Sequence, residues 1–204
     1  WLDGDLDSEE LEWNVIGVRT LQGDYLGFEV EFEREILRES FEIIDALVVP
    51  VDEYRGIDFE LEFRSSSDRS VFGGIELAYG DYYGGSSTRG EIELSWRPSR
   101  FIQLDGEIDS TLARLPQEDF EAVTGSLGLR VTPTTQLSFN GIAQYDNHSE
   151  TIGLNFRIRY IIQSGSDLFL VLNKGLEREE EGDRRSFRTT KTEAVAKLGW
   201  TFQF

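Results

Sequence analysis

Apolar and polar residues alternate with a period of two along most of this chain. Phe28, Val30 and Phe32 interleave with Glu29, Glu31 and Glu33, and Ile57, Phe59, Leu61 and Phe63 interleave with Asp58, Glu60 and Glu62. Ile152, Leu154, Phe156, Ile158 and Tyr160 alternate with Asn155, Arg157 and Arg159, and the final stretch repeats the pattern at Ala194, Ala196, Leu198, Trp200, Phe202 and Phe204. That period puts successive side chains on opposite faces of an extended strand. Strands are predicted at Leu11 to Thr20, Tyr25 to Ile36, Tyr54 to Arg64, Ser70 to Gly80, Arg89 to Arg97 and Phe101 to Leu112. Five more follow at Ala122 to Thr132, Gln136 to Asp146, Thr151 to Ile162, Asp167 to Leu176 and Lys191 to Phe204. No segment holds a helical period, so the chain is expected to be all-β, an antiparallel up-and-down meander of about 11 to 12 strands. Residues 1–10 are acidic and read as an N-terminal loop, and 11–204 as the β domain.

The connections carry a second pattern. Short ones are expected around Leu21 to Asp24, Ser65 to Arg69, Pro98 to Arg100, Pro133 to Thr135 and Gln163 to Ser166. Longer ones are expected at Leu37 to Glu53, Asp81 to Thr88, Ala113 to Glu121 and Glu177 to Thr190, with Asn147 to Glu150 the exception to the alternation. Outer-membrane barrels sort their loops this way, with short turns on one rim and long loops on the other. An odd strand count departs from the even count of bacterial single-chain barrels. It implies either a strand upstream of Trp1, the chain then being the carboxyl-terminal part of a larger barrel, or an uncounted strand within Phe41 to Val49.

Alternation by itself fits a lipid-facing surface or a buried interior equally well. Size separates them, because so many strands with large apolar residues on one face would overfill a simple soluble barrel and demand two packed sheets. Tyr54, Tyr79, Trp96, Phe101, Tyr145, Tyr160 and Trp200 lie near strand ends, as interfacial girdles require. On the membrane reading Phe59, Leu61, Leu154, Phe156, Leu198 and Phe202 meet the lipid of a bacterial outer membrane. The polar face then lines a lumen. Its acidic residues are Glu29, Glu31, Glu33, Asp58, Glu60, Glu62, Glu91, Glu93, Asp105 and Glu107, opposed by Arg64, Arg130, Arg157 and Arg159.

Composition narrows the chemistry. No run approaches the roughly 18 to 20 apolar residues of a membrane helix, which leaves a closed barrel as the only way to span a bilayer. The net charge of −19 argues against a nucleic-acid partner. With no Cys and only one His, His148, thiolate sites, His-rich metal sites and most catalytic triads are removed. Asn147, His148 and Ser149 are adjacent in a tight loop and cannot converge as a nucleophile, base and orienting group. Asp3, Asp5 and Asp7 have calcium-loop spacing, but Ser8 stands where the turn glycine belongs and no glutamate falls at the twelfth position. No catalytic residue, metal or cofactor is therefore expected. Tyr82 and Tyr83, followed by Gly84 and Gly85, suit either a sugar-stacking platform or a structural cluster at the rim of an ordered loop.

Several stretches resemble one family: the outer-membrane barrels at the carboxyl end of bacterial proteins that begin with a family-9-type carbohydrate-binding domain, a family of unknown function. The stretches are R-E-S-F-E-I at Arg38 to Ile43, V-V-P-V-D-E-Y at Val48 to Tyr54, G-D-Y-Y-G-G at Gly80 to Gly85 and L-S-W-R-P-S at Leu94 to Ser99. L-P-Q-E-D-F follows at Leu115 to Phe120, then Q-Y-D at Gln144 to Asp146, L-N-F-R-I-R-Y at Leu154 to Tyr160 and G-S-D-L-F-L-V-L-N at Gly165 to Asn173. The density of acidic residues on the polar face departs from the family. The resemblance implies a cell-envelope location and an upstream periplasmic domain, and it brings no catalytic residues. Three functions stay open: a passive pore for small polar solutes such as saccharides, a non-conducting anchor or assembly component, and a soluble all-β binding protein. The expected partners are outer-membrane lipid, an upstream segment or second chain completing the barrel, and the solute itself.

Overall fold

A computed structural model describes residues 8–44, 47–181 and 184–200. Among them every regular element is a strand: β1 (Ser8–Arg19), β2 (Tyr25–Ile36), β3 (Phe41–Ile44), β4 (Leu47–Val49), β5 (Glu53–Arg64), β6 (Val71–Tyr82) and β7 (Gly85–Ser99). The chain continues through β8 (Ile102–Arg114), β9 (Asp119–Val131), β10 (Leu137–Asp146), β11 (Thr151–Gln163), β12 (Ser166–Glu181) and β13 (Arg184–Trp200). Eleven of them form one sheet in the order β1-β2-β5-β6-β7-β8-β9-β10-β11-β12-β13, and β3 pairs with β4 in a sheet of two. Sequential neighbours pair antiparallel, as an up-and-down meander requires.

All eleven strands expected from the period of two are present, but several are longer than expected. Ser8, Glu9 and Glu10, assigned to the acidic loop, are the start of β1 and pair with Glu35, Arg34 and Glu33. Residues 1–7, with Asp3, Asp5 and Asp7, lie outside the described residues, as do Phe202 and Phe204. The long loops expected at Asp81 to Thr88, Ala113 to Glu121 and Glu177 to Thr190 are mostly strand. Tyr83 and Gly84 alone join β6 to β7, with φ of 44° and 80°, the backbone of a tight primed hairpin turn. Loop length therefore does not sort by rim. Alternation reports the side-chain environment, whereas ladder hydrogen bonds need only two backbones, so strands run on beyond the apolar band into polar sequence.

Among the described residues only Leu37 to Asp52 is a long excursion, closed at its base by Leu37 N–H donating to Asp52 O at 3.0 Å. It contains β3 and β4. An extra strand pair thus exists within Phe41 to Val49, but as a separate hairpin, and the main sheet keeps eleven strands.

The chain divides into two compact units. The first takes in residues up to Ser67, Gly73–Ile92 and Asp109–Ala122; the second takes in Asp68–Phe72, Glu93–Ile108 and residues from Val123 onward. In the first unit, Phe28 pairs with Leu61 and Leu61 with Leu77, while Val30 pairs with Phe59 and Phe59 with Tyr79, so these rows share one face. In the second, Phe156 is opposite Gly141 and Leu172, and Leu172 is opposite Ala194.

Gly80 shows how tightly the first unit is packed on its other face. A Cβ there would run into the Ile57 carbonyl and the Asp58 backbone, neither of which can swing away. Gly80→Ala is expected to destabilise the fold by about 1–3 kcal/mol through overpacking. Urea unfolding of the two proteins under one condition checks this; equal stability would mean the strands separate there without cost.

Candidate functional site

On β5 the distribution of burial is inverted relative to a water-soluble β protein, whereas on β11 Arg157 and Arg159 are exposed and Leu154 and Ile158 are half-buried. On β5, Ile57, Phe59, Leu61 and Phe63 are 39%, 45%, 47% and 45% exposed, while Asp58, Glu60 and Glu62 between them are only half-exposed. Phe156 and Leu198 in the second unit are exposed as well, and Leu154 is partly covered. Among the described residues the buried apolar ones are Leu47, Val49, Ala78, Ala113 and Leu115, all in the first unit. Among the described residues the apolar face of β5 thus has no protein core behind it. Burying it requires another apolar medium or partner.

On the polar face of the first unit, strand register turns rows of carboxylates into a two-dimensional array. Glu29 is directly opposite Glu60, and Glu31 is opposite both Glu12 and Asp58. Glu33 is opposite Glu10, and Glu62 is opposite Glu76. Like charges directly across a ladder repel. Arg89 on β7 answers part of that repulsion through an ion pair with Asp58. Arg64 Nε lies 2.6 Å from Glu62 Oε1. Among the described residues no group of carboxylates converges in a way that would hold a metal ion. Glu91 belongs to the first unit and Glu93 to the second.

Where β2 ends and β5 begins, the polar face carries a cluster of aromatic rings. Tyr83 is its centre, with ring centroids 5.3 Å from Phe41, 5.2 Å from Tyr54 and 4.7 Å from Tyr82, all edge to face. Tyr83 Oη donates to Glu35 Oε2 at 3.1 Å. Burial first, and the Glu35 charge second, push its phenol well above the ordinary tyrosine range, so it stays a donor. The sequence singled out Tyr82 and Tyr83 and read Tyr54 as a girdle residue, but Tyr54 is in step with Asp58 and Glu60 on the polar face, and Phe41 and Glu35 were not singled out. Their convergence depends on the tight turn and on the β3–β4 excursion, which leave no local signature.

The basic residues expected in the lumen are scattered. Arg130, Arg157 and Arg159 belong to the second unit, with Arg130 and Arg157 both opposite Asn140. Arg159 Nη2 donates to Asp167 Oδ2 at 2.8 Å. In the same unit, Ser95 Oγ and Gln103 Nε2 both donate to Asp105 Oδ1, at 2.6 and 2.7 Å. Asn147, His148 and Ser149 build a turn: the His148 and Ser149 backbone N–H groups donate to Asp146 Oδ1, and Asn147 Oδ1 accepts from Val123 N–H.

Comparison with known proteins adds one likeness. The chain is similar to the solved structure of a KdgM porin in complex with disordered oligogalacturonate, at 12% identity and a TM-score of 0.35. The match covers 97% of this chain and 98% of that one. No protein-family model matches the chain, and no curated protein does.

Proposed function

We propose that this chain is a β-barrel component of a bacterial outer membrane, acting as a passive pore for small polar solutes with a preference for cations. The observation that carries the reading is the inverted burial on β5, where apolar side chains face outward and carboxylates lie on the sheltered side. Lipid is the apolar medium that would make such a face favourable, and a strand can enter it only if its backbone is fully paired in a closed barrel. The carboxylate array would then line the lumen, raising the local concentration of cations and lowering that of anions. The family resemblance in the sequence supports saccharides as the neutral solutes. The test is reconstitution into planar lipid bilayers after extraction in detergent. Discrete conductance steps with a cation-favouring reversal potential are expected. A detergent-free, water-soluble monomer would end the membrane reading.

A second reading, a non-conducting anchor, is favoured by the hairpin β3–β4, which covers part of the polar face of the first unit. A correctly folded protein that inserts but carries no current would establish it instead.

A further inference from the structure

The second unit holds a cleft of about 680 Å³ beside the β7–β8 turn, the β9–β10 connection and the end of β11. Two arginines, Arg100 and Arg159, line it, and among the described residues that line it there is no carboxylate. In a chain of net charge −19 that lining is a local reversal of sign. Register and turn chemistry assemble it. Ser138 is directly opposite Arg159 across the β10–β11 ladder, and Ile161 N–H donates to Gln136 O at 2.8 Å just beyond that pair. Thr132 N–H donates to Phe101 O at 2.8 Å, which ties the β9–β10 connection to the β7–β8 turn. Thr134 Oγ1 accepts from the Gln136 and Leu137 N–H groups at 3.2 and 3.1 Å and so shapes the wall that carries Thr135 and Gln136.

Both arginines are placed by stacking. Arg100 Cζ lies 4.5 Å from the centre of the Phe101 ring, and Arg159 Cζ lies 5.5 Å from that of Phe169. Stacking uses the flat face of a guanidinium and leaves its N–H edge to bond elsewhere. Arg159 gives Nη2 to Asp167 at 2.8 Å and keeps its other nitrogens. Arg100 has no carboxylate partner among the described residues.

We infer that this cleft binds a small sugar phosphate, with Arg100 and Arg159 on the phosphate and Ser138, Thr135 and Gln136 on its remaining oxygens and on the sugar hydroxyls. A carboxylate is the poorer match. It has one charge and two oxygens in a plane, and Asp167 already offers the same group to Arg159. A phosphate monoester carries about 1.5 to 2 negative charges near neutral pH and three terminal oxygens, so it engages two guanidinium groups and a hydroxyl donor together. The cleft is far larger than a bare phosphate and lies in the range of small-molecule sites, roughly 300–1,000 Å³. Phe101 and Ile161 give it an apolar wall for the ring of a sugar. The site goes beyond the pore reading and stands without it, because it needs only the fold of the second unit.

Isothermal titration of the full chain in detergent micelles tests the assignment. A hexose monophosphate is expected to bind saturably and far more tightly than inorganic phosphate or a hexuronate, and the parent hexose not at all. Arg100→Gln is expected to weaken the monophosphate about tenfold or more, the loss of charged hydrogen bonds. Ser138→Ala, which leaves the arginines in place, is expected to weaken it several-fold. Arg19→Gln removes the same charge from an arginine stacked 5.2 Å from the Tyr25 ring in the first unit, and is expected to leave the affinity unchanged. Circular dichroism shows that each variant keeps its strands before it is titrated. Binding that Arg100→Gln leaves unchanged, or that Arg19→Gln weakens equally, overturns the site. So does a hexuronate or inorganic phosphate bound as tightly as the monophosphate, or a folded chain that binds none of them. Conductance plays no part in the titration, so a chain that carries no current loses the pore reading and keeps this site.

Discussion

Phe156→Arg is expected to lower the stability of the protein folded in lipid vesicles by roughly 2–4 kcal/mol, the cost of an arginine near the midplane of a bilayer. Phe156 sits near the middle of β11, opposite Gly141 on one side and Leu172 on the other, and is 53% exposed. For a protein in water that exposure forecasts almost nothing, since surface substitutions away from special features stay within about 0.5 kcal/mol. The two environments therefore give opposite forecasts for one substitution. In lipid the guanidinium must be desolvated or must draw water and headgroups toward it, and both cost free energy. Urea titration of the two proteins in vesicles of one composition decides the matter. A difference below about 0.5 kcal/mol would mean that this face does not meet lipid.

Replacing Glu29, Glu31, Glu60 and Glu62 together with Gln is expected to bring the cation-to-anion permeability ratio down several-fold toward unity while leaving the fold intact. Glu29 and Glu60 are directly opposite, and Glu31 faces Asp58, so the four share one patch of wall with their fields adding. Against that patch the structure sets the Arg89–Asp58 pair and Arg64 beside Glu62. The patch is thus net negative, and its potential should enrich cations. Removing four charges removes most of that potential. It also removes repulsion across the ladder, so stability should hold or rise. Salt should act in the same direction as the substitutions, because screening shortens to about 10 Å at 0.1 M and about 3 Å at 1 M. Reversal potentials across a salt gradient give the ratio directly. An anion-favouring potential in the unmodified protein, or one that the substitutions leave unchanged, would separate the carboxylates from selectivity.

The sequence alone determined the class of fold, all eleven strands of the main sheet and the residues on each face. Each of these follows from a local rule: side chains on a strand alternate, so Phe59 and Leu61 must share a face that Glu60 does not. It also supplied the ambiguity over what covers the apolar face, since lipid and a protein core select the same residues. Tertiary structure was needed wherever the outcome depends on which residues come opposite each other. Register placed Glu29 across from Glu60 and made isolated rows into an array, and nothing within either strand specifies that offset. Arg89 was overlooked because its partner Asp58 is far away in sequence. The strand ends of β6, β7, β12 and β13 were misjudged because, past the apolar band, backbone pairing continues while alternation is no longer required. The hairpin β3–β4 was legible only as an uncounted strand. That it bends over the polar face is decided by Phe41 meeting Tyr83 and Tyr54 meeting Pro50, contacts that exist only once a tight turn and a long excursion are brought to the same rim.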